Sequence, residues 1–294
     1  MTVLPATRHR TFSPARIRAI ASNTLLELVR LKVFYFLLIF ALLIIGSSAF
    51  TSKLTFQEQF QVLKDVSLGA MSIFTWLLAV LATAMLLPND IEDRTLYTIL
   101  AKPVPRFEYL LGKLLGVLAL LFVALSFMSV LFVIVLYVRE QGAIADAMRG
   151  NPPDAAAAVQ AVRDATFTSG LVPCIVVIYL KAALCGTFTL LLSTFATSSI
   201  FTIMISVVVY FIGHVQPIAR GYWLESASTG PMLRIYLALV SLLFPDLTAL
   251  NLVDDIVAGN PIALALFLKT AALGATYIVI YFLAAHFMFS AKEL

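Results

Sequence analysis

The sequence predicts an all-α membrane protein with six transmembrane helices, and two observations support this fold class. Of its 294 residues, 61% are hydrophobic and only 12% are charged, whereas soluble domains are about half apolar and a quarter charged. Six separate apolar segments approach or exceed the length of about 20 residues that a helix needs to cross a bilayer. The formal net charge of +4 therefore concerns membrane topology and does not indicate nucleic-acid binding.

The predicted spans occupy most of the chain after residue 32. They are Val33–Phe50, Val66–Leu87, Leu114–Val138, Leu171–Leu192, Ile200–Val215 and Thr270–Phe289. Residues 139–169 are polar and predict a hairpin of two short Ala-rich helices around the sequence GNPPD. The apolar run Ile235–Phe244 is too short to cross as a helix, so we predict a re-entrant or interfacial segment within residues 216–261.

The distribution of basic residues favours a cytoplasmic location for both termini. Six spans place both termini on one side, and that side carries eleven Lys and Arg residues against seven or eight in the longer opposite loops. The positive-inside rule assigns the richer side to the cytoplasm. Residues 1–32 are then a cytoplasmic tail and interfacial helix, and residues 33–294 form the membrane domain, with 139–169 and 216–261 on the extracytoplasmic side.

An amphipathic helix is predicted before the first span. Ser13 and Pro14 provide an N-cap and a first-turn proline. Apolar residues then recur at steps of three and four along one face, at Ile17, Ile20, Ala21, Thr24, Leu25 and Leu28. We expect this helix to lie along the cytoplasmic leaflet with its arginines near anionic headgroups; the alternative is a frayed basic tail.

The loop between the second and third spans concentrates charge. The stretch NDIEDRTLYTILAKPVPRFEYLLGKLLG (Asn89–Gly116) holds eight charged residues in 28. Pro88 is expected to end the second span, and Asn89 or Asp90 to cap a new helix with acidic residues in its first turn, where the helix dipole favours negative charge. Pro103 stops this helix. The third span then begins with Gly112 and Gly116 at a spacing that permits close helix packing.

A short charged helix held between prolines suits a docking surface, because a simple connector needs only a few residues. The alternative is a solvated loop whose charges only set topology. The stretch IEDRTLYTILAKPVPRFEYLLGK closely resembles the motif of the type-2 ABC transporter permeases. The matching positions are Glu92, Arg94, Thr95, Leu100, Pro103, Arg106, Tyr109, Gly112 and Lys113. Within that family the sequence is most similar to permeases of multicopper-enzyme maturation and nitrous oxide reductase accessory systems, which LLFPDLTALNLVDDIVAGNPI (Leu242–Ile262) also resembles.

The resemblance implies a permease subunit, one of two copies or two related permeases, that pairs with two cytoplasmic ATPase subunits in a bacterial inner membrane. It implies that the N-terminal helix is an elbow helix and that the charged loop is a coupling helix that docks on the ATPase. The residues implied in ATPase coupling are Asp90, Glu92, Asp93, Arg94 and Thr95, with Arg106 and Lys113 anchoring the exit of the loop at the membrane interface. An extracytoplasmic protein and membrane lipid are further expected partners.

The sequence has no G-x-x-x-x-G-K-S/T motif, so ATP and Mg²⁺ are expected on the partner ATPase and this chain is not expected to be an enzyme. An intramembrane enzyme would need paired acids or a nucleophile and base within the bilayer, and no acidic residue falls inside the six predicted spans. An ion-coupled transporter or channel and a non-transporting scaffold remain alternatives to the ABC permease, which we expect to be an exporter.

A few residues elsewhere carry functional candidates. Lys181 lies in an apparent span, and either lines a transport pathway or snorkels to the outer surface. Asp246, Asp254 and Asp255 could gather a cation but are more typical of helix caps; His214, His286, Cys174 and Cys185 show no metal-ligand spacing. Copper or sulfur species, sodium, lipid, peptide and drug all remain open as substrates, as do a homodimer and a heterodimer.

Overall fold

The computed structural model describes residues 12–51, 59–92, 104–149, 155–196, 198–225, 232, 244–260 and 262–291, and every extended regular element among them is a helix. In chain order these are α1 (Pro14–Val29), α2 (Lys32–Thr51), α3 (Gln59–Glu92), α4 (Arg106–Arg149), α5 (Ala155–Thr166), α6 (Leu171–Phe195), α7 (Ser199–Glu225), α8 (Val253–Val257) and α9 (Leu264–Ala291). Six of them, α2, α3, α4, α6, α7 and α9, are long and apolar enough to cross a membrane. The all-α class and the six spans are thus confirmed.

Helix α6 lies at the centre of the bundle and packs against α3, α4, α7 and α9. It buries most of its residues, as expected of a helix that is apolar on all sides. By contrast, α2, α7 and α9 keep large apolar side chains such as Phe36, Phe211 and Phe287 exposed. In a bilayer such faces meet lipid or another apolar helix instead of water.

Two predicted boundaries are wrong. Pro88 does not end the second span, because α3 continues through it to Glu92; a proline is tolerated where neighbouring helices support the turn that lacks its hydrogen bond. The first short helix predicted after Arg139 is not separate, because α4 runs on without a break to Arg149. Gly142 is the weakest helix former in that extension, and its propensity penalty of about 1 kcal/mol does not stop a packed helix.

The bundle has two distinct ends. Glu92, Arg106 and Ser290 lie at the end that flanks residues 93–103, which we call the loop end. Lys64 and Thr168 lie at the other end, where the Lys64 ammonium donates to the Thr168 hydroxyl at 2.9 Å; we call it the far end.

A segment with little regular structure, 244–260, packs against the far end of the bundle. The Leu247 amide donates to the Gly213 carbonyl at 3.1 Å. A Cβ atom at Gly213 would lie only 2.8 Å from the Leu247 side chain, so glycine is needed for this close approach. Most of the predicted re-entrant run Ile235–Phe244 lies outside the described residues.

Candidate functional site

A buried carboxylate at the loop end of α4 fixes the start of α1. Glu108, in the first turn of α4, has a side chain that is 1% exposed. The Arg16 guanidinium donates to both of its oxygens, from Nε to Oε2 at 2.7 Å and from Nη2 to Oε1 at 3.0 Å. The Ser13 amide also donates to Oε1, at 2.7 Å. The hydrogen bond to this carboxylate raises the pKa of Arg16, and the two-pronged geometry holds α1 in one orientation on α4.

A second cluster of charges joins α1, α3 and α4. Lys113 Nζ lies 2.7 Å from Asp90 Oδ2 and 3.5 Å from Glu27 Oε2. The Tyr109 hydroxyl, one turn before Lys113, donates to the same Asp90 oxygen. Both Asp90 and Lys113 are buried. The prediction that Asp90 caps a new helix is therefore wrong. It lies in the last turns of α3, where these partners hold the chain helical beyond Pro88.

Arg106, the first residue of α4, binds the end of α9. Its Nη1 donates to the carbonyls of Phe289 at 3.1 Å and Ser290 at 2.7 Å. The last carbonyls of a helix have no partner within the helix, and the helix dipole makes that end attractive to a cation. Arg106 and Lys113 thus tie the exit of the loop to other helices of the protein.

Gly112 and Gly116 form the surface of α4 against which α1 lies. A Cβ atom at Gly112 would lie 2.7 Å from Ile20 Cβ, and one at Gly116 would lie 2.6 Å from Thr24 Cβ. Non-bonded carbon atoms normally approach to about 3.5–4.0 Å. The two glycines therefore permit a helix approach that any larger residue would prevent.

The residues between these anchors carry the predicted ATPase contact. Asp93, Arg94 and Thr95 lie outside the described residues, and Glu92 is described only as the last helical position of α3. Their roles in coupling stay predictions. Both ends of the loop, however, are tied to the bundle, at Asp90 on the entry side and at Arg106 and Lys113 on the exit side.

Lys181 does not snorkel to the surface. It is 5% exposed, and its Nζ lies 3.0 Å from Nε2 of His214 on α7. It also lies 5.8 Å from the centre of the Tyr210 ring. The other nitrogen of His214, Nδ1, is 2.9 Å from the Tyr210 carbonyl and must donate to it. In this tautomer Nε2 is an acceptor for the lysine, and the imidazole is neutral.

The remaining sequence candidates occupy structural positions. Asp246 accepts bonds from the amides of Thr248 and Ala249 in a turn. Asp254 and Asp255 lie in the first turn of α8, where a helix favours acidic residues. Cys174 and Cys185 are free thiols in the core. His286 packs edge to face on the Phe107 ring. Within the described part of the chain, no three His, Cys, Asp or Glu residues are placed to hold a metal ion.

Three contacts at these sites were missed by sequence reasoning. Arg16 and Glu108 are separated by 92 residues, and Lys181 and His214 by 33. Glu27 of α1 pairs with Lys113 of α4. The one usable signal was that Lys181 and His214 are the strongly polar residues of two consecutive apolar segments. Consecutive spans joined by a short turn pack antiparallel, which brings such residues to similar depths.

Comparison with known protein families places the chain within one of them. Residues 18–294 match the family described as ABC-2 family transporter protein. No curated protein matches the chain. The matched range contains all six candidate spans and both partners of the Asp90–Lys113 ion pair.

Proposed function

Because the chain belongs to the ABC-2 transporter family, we propose that it is the permease subunit of an ABC transporter. Its six apolar helices make it a multi-pass membrane protein, and membership of the family implies association with an ABC ATPase and dimerisation. In the proposed complex the ATPase subunits bind ATP and Mg²⁺, this chain has no catalytic role, and the second permease is either another copy or a related chain. The proposed direction of transport is export.

The observation that carries this proposal beyond the family is the anchoring of the loop at both ends. A force applied to residues 93–103 would pass into α3 through Asp90 and into α4 through Lys113. It would reach α9 through Arg106. Glu108 extends the same path to α1. Such a connected frame suits a loop that receives mechanical work, whereas a loop that only joins two spans needs no such frame.

The finer parts of the proposal follow from this frame and from the sequence. The residues that would contact the ATPase are Glu92, Asp93, Arg94 and Thr95. The loop would then be a cytoplasmic coupling helix, and α1 an elbow helix that moves with it along the inner leaflet. The protein would reside in a bacterial inner membrane with both termini in the cytoplasm. The motif favours the subgroup of multicopper-enzyme maturation and nitrous oxide reductase accessory permeases, and the outer segment 244–260 is where an extracytoplasmic partner would bind.

The test is purification of the chain from its native membrane in mild detergent, with identification of co-purifying proteins by mass spectrometry. We expect a stoichiometric ATPase that is lost in the Glu92→Ala and Arg94→Ala variants, while both variants still insert. Asp65→Ala, an exposed acid at the far end, is the matched control and should retain the ATPase.

Absence of any ATPase from an intact permease would refute the proposal. It would favour an ion-coupled transporter, a channel or a scaffold. Retention of a stoichiometric ATPase in both loop variants would refute the assignment of the docking residues alone.

A further inference from the structure

An open groove lies between α4 and α6 on the apolar surface of the bundle, and we call it the α4–α6 groove. Its volume is about 450 Å³. One wall is a face of α4 that includes Phe122, Ser126 and Val130, and the other is a face of α6 that includes Val172 and Val176. Residues four apart share one face of a helix, so each wall is a single stripe. The rim side chains of Phe122, Val130 and Val172 are exposed, and the groove therefore opens outward.

The groove lies at membrane depth, in the half of the bilayer that belongs to the far end. Its walls fall within two of the predicted spans, Leu114–Val138 and Leu171–Leu192. Val172 is the second residue of α6, which begins just after Thr168 at the far end. From Val172 to Tyr179 the helix advances about 10 Å, whereas one half of the hydrocarbon core is about 15 Å deep. The groove thus runs from the far edge of the span toward the middle of the bilayer.

The inner end of the groove is closed. The rings of Phe122 and Tyr179 meet edge to face there, with centroids 6.3 Å apart. The Tyr179 hydroxyl also donates to the Leu118 carbonyl at 3.2 Å. These two contacts hold α6 against α4, so an occupant that enters from the far end must stop at this point.

The lining offers an occupant no hydrogen bond that the protein needs. The Ser126 hydroxyl donates to the Phe122 carbonyl at 2.7 Å, and the Ser129 hydroxyl donates to the Leu125 carbonyl at 2.7 Å. Apart from these serines and Tyr179, the described residues that line the groove are aliphatic or aromatic. Apolar cavities do not hold water, and a polar solute would lose its own hydrogen bonds on entry. The groove therefore suits an apolar occupant.

Its dimensions favour a single hydrocarbon chain over a helix from a second copy of the protein. The α4 wall, from Phe122 to Val130, is about 12 Å long. A helix segment of that length and about 10 Å in diameter occupies about 900 Å³, twice the volume of the groove. A single inserted side chain would leave most of the space empty, and the lining would then lack contacts on one side. One extended acyl chain fits both the narrow shape and the depth within one leaflet.

From the apolar lining, the closed inner end and the depth of the groove, we propose that the α4–α6 groove binds one acyl chain of a phospholipid. The lipid belongs to the leaflet at the far end. The tail ends at the contact between Phe122 and Tyr179, and the headgroup lies beyond Val172. The floor of the groove consists of Leu125, which is buried, and Ile175, which is partly buried. This proposal does not rest on the proposed transport function.

The floor distinguishes an inserted chain from the lipid that surrounds any membrane protein. The experiment reconstitutes the full chain in nanodiscs of phosphatidylcholine, with a small fraction of phosphatidylcholine that carries a diazirine near the end of one acyl chain. Irradiation attaches this lipid to whatever its tail touches, and mass spectrometry of the digested protein locates the attachment. Leu43, exposed on α2 within its predicted span, serves as the reference for ordinary contact with lipid.

We expect attachment at Leu125 and Ile175 as well as at Leu43. Ser129→Phe places a ring in the groove and should abolish attachment at both floor residues, while Leu43 remains labelled. The matched control is Ser47→Phe on α2, because Ser47 is also exposed within a span and donates to a carbonyl of its own helix, that of Ile44; it should leave the floor labelled. If Ser129→Phe does not reconstitute, Ser129→Leu, which adds less volume, serves as the second variant.

Attachment at Leu43 without attachment at the floor would overturn the proposal, because another part of the protein or a second copy would then fill the groove. Equal labelling of the floor in the parent and in the Ser129 variant would overturn it as well. The readout is independent of ATPase co-purification. A chain that retains its ATPase but shows no labelled floor would keep the proposed function and lose the lipid site, and the reverse pair of results would do the opposite.

Discussion

The close approach of α1 to α4 allows a quantitative test in which one substitution is made at two glycines of the same helix. In Gly116→Ala the new Cβ atom would lie 2.6 Å from Thr24 Cβ and 3.0 Å from the Ala21 carbonyl oxygen. Carbon atoms in contact are about 3.5–4.0 Å apart, so the helices must separate by about 1 Å. Neither obstacle is the mobile tip of a long side chain, and overpacking of this kind costs about 1–3 kcal/mol.

Gly142→Ala is the matched control. It makes the same change on α4, but a Cβ atom there meets nothing within 4 Å. Replacing glycine with alanine within a helix favours folding by about 1 kcal/mol, and both variants receive this contribution. Gly142→Ala should therefore be slightly more stable than the parent, and the unfolding free energies of the two variants should differ by about 1–3 kcal/mol.

The measurement is unfolding of the purified chain by SDS in mixed micelles, followed by tryptophan fluorescence. The Gly116→Ala, Thr24→Gly double variant should recover part of the loss, because the atom that the new methyl group meets is removed. Equal stabilisation by Gly116→Ala and Gly142→Ala would refute the close packing of α1 on α4. It would also remove α1 from the path that joins the loop to the rest of the bundle.

Two further predictions concern the ion pairs at the loop end. Lys113→Met should destabilise the chain by about 3–5 kcal/mol in the same SDS titration, because it removes the cation that faces the buried Asp90 carboxylate. Adding Asp90→Asn should restore much of the loss, and equal stability of the single and double variants would contradict the pairing. Arg16→Lys should speed trypsin cleavage of the N-terminal helix, because lysine cannot donate both bonds to Glu108. The control is Arg18→Lys, at an exposed position, which should leave the cleavage rate unchanged. Both substitutions keep the trypsin site, so a similar acceleration in the two variants would count against the role of Arg16.

The hydropathy of the sequence was sufficient to predict six spans, but not where the helices end. The third predicted span has 25 residues, Leu114–Val138, whereas α4 has 44 and is about 66 Å long. Apolar runs report the part of a helix that lies in hydrocarbon. The polar turns beyond it continue as helix wherever packing and the absence of a breaker allow. Pro88 led to an error in the same direction, since a residue that breaks isolated helices is accommodated in α3, which runs on to Glu92.

The candidate site was predictable only in its local parts. The spacing of Gly112 and Gly116 indicated close packing, but nothing in it identified α1 as the partner. Asp90 and Lys113 were chosen as loop charges, although they pair with each other in the interior. Contacts between residues far apart in one sequence leave no periodic signal. Lys181 was noted as the anomalous charge of its span, and only the structure brings His214 to it.

The bond from Arg106 to the last turn of α9 can form only at the end of protein synthesis. Arg106 leaves the ribosome long before its acceptors do, because Phe289 follows it by 183 residues. At translation rates of about 5–20 residues per second, the loop end stays incomplete for about 10–40 s after Arg106 has been made. A nascent or truncated chain that lacks its last helix therefore has a loop whose exit side is held by Lys113 without Arg106. Full anchorage would mark a chain that has been synthesised to its end, and an ATPase that binds only the anchored loop would bind finished chains.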